Sequence, residues 1–214
     1  MTPTASHADA LIQAYGPMGK AHVVANATAI PCLPNADQPM VFAAGRWWDE
    51  GKNGQTLAAA AALTRWPIMM AGATIGPNGQ NVRLQRALAL GELSADDTLS
   101  WMSRAGIFAS VAIYEPFGLA VLEAAARGAA LVLSDIPTFR ELWSGSASFV
   151  QPDDASGLAA TINTLADDET LRRRLGQLAR NRAQSFTSDR QVDSVQRVYA
   201  DAVAAHEPTL TRVG

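Results

Sequence analysis

Residues able to bind an anion follow the first predicted strand of the chain. The segment Gly45-Arg46-Trp47-Trp48-Asp49-Glu50-Gly51-Lys52-Asn53 places an arginine and a lysine on either side of a turn. It differs from a P-loop because it is one residue longer between its glycines, and because Asn53 replaces the serine or threonine that holds magnesium. We expect Lys52 at a helix start, where a cation is unfavourable unless an anion is bound too. Arg46 and Lys52 therefore predict a diphosphate site, although two solvated surface cations would give the same pattern.

A second segment, running from Tyr114 to Glu123, follows a later predicted strand. Pro116 and Gly118 are typical of a tight strand-to-helix turn. Such a turn would leave the amides of residues 117–119 (Phe117, Gly118 and Leu119) free to bind an anion. Glu115 precedes this helix and Glu123 lies about one and a half turns inside it, so the two carboxylates need not share a face. Glutamates at this spacing are also common on solvated helices.

The sequence lacks the short motifs that indicate a metal site or a covalent nucleophile. No Asp-x-Asp, G-x-G-x-x-G, H-E-x-x-H or G-x-S-x-G pattern occurs, and Cys32 is the only cysteine. His7, His22 and His206 lie outside the predicted core segment and are expected at the surface. We therefore expect no cofactor and no metal, and chemistry in which a departing diphosphate is stabilised by cations and a helix N-terminus.

The segments between these motifs alternate between apolar strands and helical patterns. Strands are predicted at 40–44, 68–71, a weak one ending near 90–91, 107–113, 130–133 and 148–150. Helices are predicted at 6–15, 52–65, after Ser94, at 118–127, at 138–142 and throughout the tail from Ser156. Alternating strands and helices require parallel pairing with crossovers. The sequence predicts an α/β, Rossmann-like, doubly wound parallel sheet of about six strands with a helical C-terminal tail.

Proline and polar residues divide the chain into three predicted parts. Residues 1–39 form an N-terminal helix and linker, residues 40–205 the compact domain, and residues 206–214 a disordered tail. The 214 residues are 48% hydrophobic and 17% charged, which suffices for a buried core. The formal net charge of -3 argues against nucleic acid as a partner. The basic run of residues 172–174 with Arg180 and Arg182 is interpreted as a solvated helix face. No signal segment or membrane span is evident, so a cytoplasmic location is expected.

Together these motifs resemble the C-terminal domain of retaining glycosyltransferases of the GT-B fold, the group related to sucrose synthase and bacterial glycogen synthase. The similarity rests on Gly45-Arg46 with Lys52-Asn53 and on Glu115-Pro116-Phe117-Gly118-Leu119 running to Glu123. It continues through Asp135-Ile136-Pro137-Thr138-Phe139-Arg140-Glu141-Leu142 and Pro152-Asp153-Asp154, and covers roughly residues 20 to 205.

The resemblance implies a nucleotide-sugar donor and a role for each motif residue. Arg46 and Lys52 would hold the diphosphate and stabilise it as it leaves, in place of a metal ion. Glu115 and the backbone of residues 117–119 would contact the sugar and phosphates, so Glu115, Arg46 and Lys52 are the predicted catalytic residues. Glu123 would bind the ribose hydroxyls, and the loop from Gly91 to Leu93 would touch the base. The sugar would be transferred with retention of anomeric configuration.

The resemblance also implies a partner, because family members carry an N-terminal acceptor-binding domain of similar size. Residues 1–39 resemble only the last helix and linker of that domain. We therefore expect self-association or a separate acceptor-binding polypeptide. Exposed apolar side chains on the first helix (Leu11, Ile12 and Tyr15), together with Trp47 and Trp48, favour the same expectation. The alternatives are a nucleotide-sugar-binding module without turnover, a truncated remnant, and a nucleotide-sugar 2-epimerase.

Overall fold

The computed structural model describes residues 1–17, 19, 21–33 and 35–206. The helices are α1 (Ala5–Tyr15), α2 (Gly54–Ala60), α3 (Ala95–Arg104), α4 (Leu119–Ala126), α5 (Pro137–Trp143), α6 (Ala155–Asp167), α7 (Glu169–Ala183) and α8 (Ser188–His206). The strands are β1 (Gln38–Ala44), β2 (Ile68–Ala71), β3 (Leu88–Gly91), β4 (Ala105–Ser110), β5 (Ala130–Ser134) and β6 (Ser148–Val150). The predicted disordered tail lies, from residue 207 onward, outside the described residues. Among the described helices, none has the length and apolar character needed to cross a bilayer.

The six strands form one parallel sheet in the order β3-β2-β1-β4-β5-β6. This confirms the predicted doubly wound α/β fold. The chain builds outward from β1 to β3 on one side and then returns to place β4 beside β1. In sheets of this type the strand order reverses at such a point, and a crevice opens at the carboxyl ends of the two central strands. The topology therefore places β1 and β4 beneath any ligand site.

Helices cover both faces of the central strands, and alternate residues of each strand point to opposite faces. Phe42 and Phe108 pack into one apolar layer, which also contains Met102 of α3 and Leu122 of α4. Val41 and Ile107 pack into the other layer with residues of α2 and α6. Their near-continuous apolar sequences follow from this double burial.

Two predicted boundaries of helices and strands were wrong, both at the carboxyl-terminal edge of the sheet. The helix predicted over 52–65 is a 3-10 turn, Glu50–Lys52, followed by the shorter α2. Asn53 separates the two because its backbone is left-handed, with φ 54° and ψ 42°. The strand predicted over 107–113 runs instead from Ala105 to Ser110, because the chain leaves the sheet after Ser110 to form a loop.

The basic run in α7 is only partly the solvated face that its sequence indicates. Arg172 is 5% exposed. Its guanidinium binds both carboxylate oxygens of Asp37, with Nε–Oδ1 at 2.6 Å and Nη2–Oδ2 at 3.0 Å. It also donates to the Leu165 carbonyl and stacks over Trp66. Because each guanidinium nitrogen has a hydrogen-bond acceptor, this arginine can be buried at the amino-terminal edge of the sheet.

The N-terminal helix α1 lies against α5 rather than apart from the sheet domain. Its only buried residue is Ala8, while Ile12 is 39% and Tyr15 79% exposed. Trp47, predicted to add exposed apolar surface, is instead 5% exposed and part of the core. Of the apolar residues predicted to be exposed, Ile12 and Tyr15 are exposed, Leu11 and Trp48 are partly buried, and Trp47 is buried.

Candidate functional site

A cleft of about 870 Å³ opens at the carboxyl ends of β1 and β4. Its walls come from the loop after β1, the loop after β4 and the first turn of α4, with β2 and the segment after β3 at its side. The lining includes seven residues that the sequence predicted for a site: Arg46, Lys52, Leu93, Glu115, Phe117, Gly118 and Leu119. The two motif segments therefore meet in one place, as parallel strands require.

The loop after β1 is shaped by Asp49 and Asn53. The Asp49 carboxylate accepts a hydrogen bond from the Gly51 amide at 3.0 Å and so caps the 3-10 turn. The Asn53 side-chain amide donates to the carbonyls of Val111 and Pro152 at 3.0 and 2.6 Å. Lys52 is thus held between two fixed neighbours at the end of a turn, and not at a helix start as predicted.

Lys52 forms an ion pair with Glu115 across the cleft floor. The distance from Nζ to Oε2 is 2.5 Å, and the side chains are 25% and 16% exposed. A hydrogen bond from the Ile113 amide to the Gly51 carbonyl at 2.9 Å joins the same two loops. The pair leaves the remaining ammonium protons of Lys52 available to a ligand, because an ammonium carries three donors.

Arg46 is the more exposed of the two predicted cations. Its side chain is 64% exposed, contacts Asp49 at 3.2 Å and lies 5.7 Å from the Trp48 ring. An exposed pair of this kind contributes little to stability. Arg46 can therefore exchange Asp49 for an anion in the cleft at little cost.

The loop after β4 presents unpaired backbone amides to the cleft. Gly118 caps α4 with φ 89°, a left-handed conformation that favours glycine, and an added Cβ would lie 3.0 Å from the Phe139 ring. Among the described residues, the amides of 117–119 meet no acceptor, since the first α4 bond is Leu122 N–H to the Gly118 carbonyl. The predicted tight turn with free amides at the helix start is present, and such amides have the chemistry to bind an anion.

Gly72, which follows β2, lets two loops approach each other beneath the cleft. A Cβ at this position would come within 1.8 Å of the Gly45 carbonyl oxygen. The Gly72 amide also donates to the Gly91 carbonyl at 2.7 Å. Gly91, predicted to touch a base, lies outside the cleft lining and instead fixes this turn, while its neighbour Leu93 is in the lining.

Glu123 lies on α4 one turn beyond Leu119 and, like Gly91, is outside the cleft lining. It is half-buried, and burial raises the pKa of its carboxyl above the ordinary value. Among the described residues no donor binds this carboxylate. Residues four apart share a helix face, so Glu123 lies on the same side of α4 as Leu119, which lines the cleft.

Several residues of the cleft escaped sequence reasoning. Asn26 belongs to the predicted linker, yet it lines the cleft with Thr98 and Ser110. Asn53 was noted as a departure from the P-loop and as part of the Lys52-Asn53 motif, but no role was predicted for its amide, which fixes the position of Lys52. Only Asn53 had a sequence signal, because polar residues next to Gly-Lys in a turn commonly make hydrogen bonds to the backbone.

Comparison with known proteins gives the family of this site. Residues 80–182 match the model of the glycosyl transferases group 1 family. The chain is 35% identical over 175 residues to the D-inositol 3-phosphate glycosyltransferase of Salinispora arenicola, covering 71% of this chain and 38% of the relative. The chain belongs to the group 1 glycosyltransferases. It is also 37% identical over 102 residues to a glycogen synthase of Mycobacterium tuberculosis, covering 47% of this chain and 24% of that enzyme.

Solved structures show that this group 1 glycosyltransferase chain has the fold of one GT-B half. Sucrose-phosphate synthase from Thermosynechococcus elongatus superimposes with a TM-score of 0.79 at 22% identity, covering 95% of this chain and 58% of that one. HepE of Anabaena, in complex with UDP-glucose, gives a TM-score of 0.79 at 21% identity, covering 95% and 63%. The chain spans between 22% and 38% of the length of the curated relatives it matches.

Proposed function

We propose that this chain binds a nucleoside-diphosphate sugar in the cleft and serves as the donor-binding half of a retaining glycosyltransferase. One observation carries the proposal: Lys52, Arg46 and the free amides of residues 117–119 line one cleft at the point where the strand order reverses. Cations and unpaired amides around one space favour an anion with several oxygens, and a diphosphate has that chemistry.

In this proposal the diphosphate lies between the two loops. Its oxygens replace Glu115 as partners of Lys52, draw Arg46 away from Asp49, and accept hydrogen bonds from the α4 amides. Glu115 then turns its carboxylate to the sugar hydroxyls. Glu123 binds the ribose hydroxyls, and the segment of Glu92 and Leu93 contacts the base.

The transfer step is proposed to keep the anomeric configuration and to need no metal ion. The acceptor hydroxyl oxygen bonds to the anomeric carbon from the face that the diphosphate leaves. As the carbon–oxygen bond to the phosphate breaks, its electron pair moves to that phosphate oxygen, which also takes the hydroxyl proton. Lys52, Arg46 and the amides of residues 117–119 stabilise the negative charge that develops on the departing diphosphate. Resemblance to retaining enzymes supports the stereochemistry.

Calorimetric titration with a nucleoside series tests donor binding directly. UDP, the ligand bound in a structure of Anabaena HepE, is titrated beside UMP and uridine, and GDP and ADP follow. We expect the diphosphate to bind at least about tenfold more tightly than the monophosphate, because charge-assisted hydrogen bonds are added. The Arg65→Ala variant is a matched control, since Arg65 pairs with Asp167 of α6 and is absent from the cleft lining. No heat from any diphosphate at about 1 mM would contradict the proposal.

Turnover is tested by adding a polypeptide for the part of the relatives that this chain does not span. Donor hydrolysis and sugar transfer are measured for the chain alone and with a candidate acceptor-binding polypeptide, in buffer containing EDTA. We expect transfer only in the mixture, with the donor's anomeric configuration kept in the product by NMR coupling constants. An inverted product would contradict retention, and loss of transfer with EDTA would contradict a metal-free reaction.

A nucleotide-sugar-binding module without turnover is the alternative function, which the same cleft would serve. Diphosphate binding with no transfer in any mixture would select it.

We also propose self-association or a separate acceptor-binding partner, because Ile12 and Tyr15 expose apolar surface on α1. Light scattering that shows a monomer alone and in the mixture would contradict such an assembly.

A further inference from the structure

We propose that Thr4, at the start of α1, is a positioning residue of the cleft: it fixes the loop that carries Glu115 and thereby sets the Lys52–Glu115 pair. This inference deepens the proposed function and rests on it only for its ligand-binding readout. Thr4 does not line the cleft and acts on it only through the loop after β4.

Thr4 makes two hydrogen bonds although it is fully buried. Its hydroxyl donates to the Pro116 carbonyl at 3.0 Å and accepts from the His7 amide at 3.1 Å. The second bond caps α1, as threonine commonly does. The first bond crosses 112 residues of sequence and ends at the carbonyl directly after Glu115. Capping of α1 needs only the hydrogen bond from the His7 amide, so it does not account for the bond to the Pro116 carbonyl.

The residue on the other side of Glu115 is held by the same helix. The Tyr114 hydroxyl lies 2.7 Å from Nδ1 of His7, and the two rings are tilted at 55°. Glu115 is therefore bracketed by two residues that both contact the first turn of α1. A carboxylate fixed in this way meets Lys52 at one position, whereas a free loop residue would sample many.

Glu141 of α5 anchors the first turn of α1. Its carboxylate accepts from the amides of Ala5 and Ser6 at 2.9 and 2.8 Å, and also from the Ser6 hydroxyl. Burial acts to raise the pKa of Glu141, but these hydrogen bonds prevail and lower it. The helix α1 is thus attached both to α5 and to the loop after β4. It can therefore hold that loop at a fixed position relative to α5.

The competing explanation is that the loop is fixed from its other side. The Ile113 amide donates to the Gly51 carbonyl, so the β1 and β4 loops are joined without α1. If that bond suffices, removing the Thr4 hydroxyl will leave the ion pair unchanged. The two explanations predict different fractions of Lys52 paired with Glu115 in the ligand-free Thr4→Val variant.

Amine labelling of the ligand-free protein measures that state. The chain has only two lysines, Lys20 and Lys52, so acetylation of Lys52 can be followed by peptide mass spectrometry against an added lysine peptide. Thr4→Val keeps the shape of the side chain and removes the hydroxyl, while Thr4→Ser restores it. Ser6→Ala is the matched control, because it loosens the attachment of α1 to α5 without touching the loop. Glu115→Gln defines the rate of an unpaired Lys52.

We expect Thr4→Val to label Lys52 about three to ten times faster than wild type, approaching Glu115→Gln, because one buried hydrogen bond is lost. Thr4→Ser and Ser6→Ala should stay within about twofold of wild type. UDP affinity of Thr4→Val should fall by a similar factor, because the Pro116 carbonyl held by Thr4 belongs to the peptide group that carries the Phe117 amide. If Thr4→Val disrupts folding in thermal melts, Tyr114→Phe removes the other tether and should raise the labelling rate instead.

A folded Thr4→Val variant that labels Lys52 at the wild-type rate would overturn the inference, and would assign the loop position to the Ile113–Gly51 bond. Faster labelling in Ser6→Ala as well would also overturn it, because the effect would then report general loosening of α1. Wild-type protein that binds no nucleoside diphosphate would defeat the proposed function alone, since the labelling result needs no ligand.

Discussion

The two ends of the sheet each carry an ion pair between distant segments, and the pairs differ in how completely they are satisfied. At the amino-terminal edge, Arg172 and Asp37 are 6% and 13% exposed and share two hydrogen bonds. At the carboxyl-terminal edge, Lys52 and Glu115 are 25% and 16% exposed and share one contact.

The number of donors that already have a partner within the protein explains why one pair can be structural and the other available for ligands. Arg172 also has the Leu165 carbonyl and the Trp66 ring as partners, so each of its guanidinium nitrogens is already bound within the protein, although the pair borders a smaller cavity of about 400 Å³. Hydrogen bonds from Arg172 and Arg173 hold the pKa of Asp37 below its ordinary value, despite burial that acts to raise it. Lys52 keeps spare donors toward a cleft. A pair with unused donors beside an open cleft is therefore the better candidate for binding.

Removing Arg172 should give the largest effect on stability. Arg172→Leu leaves the Asp37 carboxylate buried without its main partner, and we expect a loss of about 3–5 kcal/mol in the free energy of unfolding. Urea denaturation followed by circular dichroism measures it. A loss well under 1 kcal/mol would show that the buried Arg172–Asp37 pair contributes no more to stability than an exposed ion pair does.

Removing Lys52 should have its main effect on binding. Lys52→Ala should weaken UDP binding by about 1.5–3 kcal/mol, roughly tenfold to a hundredfold, because charged hydrogen bonds to the diphosphate are lost. The urea midpoint should change far less than for Arg172→Leu. A variant that loses stability but keeps its affinity would reverse the roles assigned to the two pairs.

Glu123 adds a pH-dependent test of the cleft side. Its pKa is raised by burial in the folded state, so its contribution to stability is present below the unfolded pKa and is lost as pH rises through the folded pKa. Glu123→Gln should therefore melt at a higher temperature than wild type at neutral pH, with the difference vanishing below about pH 4. Glu123→Ala, which removes the hydrogen-bond acceptor altogether, should bind UDP about 1–3 kcal/mol more weakly if the carboxylate holds the ribose. Equal affinity would remove Glu123 from the site.

The smallest effect is expected at Arg173, whose side chain is 66% exposed and binds Asp37 and Glu169. Arg173→Ala should move the urea midpoint only slightly, since exposed ion pairs are screened and contribute little. A shift as large as that of Arg172→Leu would show that exposure does not separate the two arginines.

The sequence predicted the features that depend on local pattern. Apolar runs closed by glycine indicated the parallel sheet, and the Pro116 and Gly118 turn indicated the free amides at the start of α4. These predictions succeed because periodicity and turn chemistry act over a few residues. Arg46 and Lys52 were located for the same reason.

Features that need distant segments to meet were missed. The Lys52–Glu115 pair joins residues 63 apart, and the Asp37–Arg172 pair joins residues 135 apart. Arg172 belongs to a basic run that resembles a solvated surface, and only packing against Trp66 and Asp37 reveals its burial. Likewise, nothing local about Asn26 or Thr4 indicates contact with the cleft or with its loop. Such contacts are set by tertiary packing, which overrides local pattern.

The central position of β1 and β4 has a consequence for how ligands can be detected. Lys52 and Glu115 come together only when these two strands have paired, so the unfolded chain has no equivalent of the cleft. A ligand that binds only the folded chain stabilises it by about 2.7 kcal/mol at a hundred times its dissociation constant. Thermal melting in a panel of nucleotide sugars would therefore rank donors for this protein before any acceptor is known.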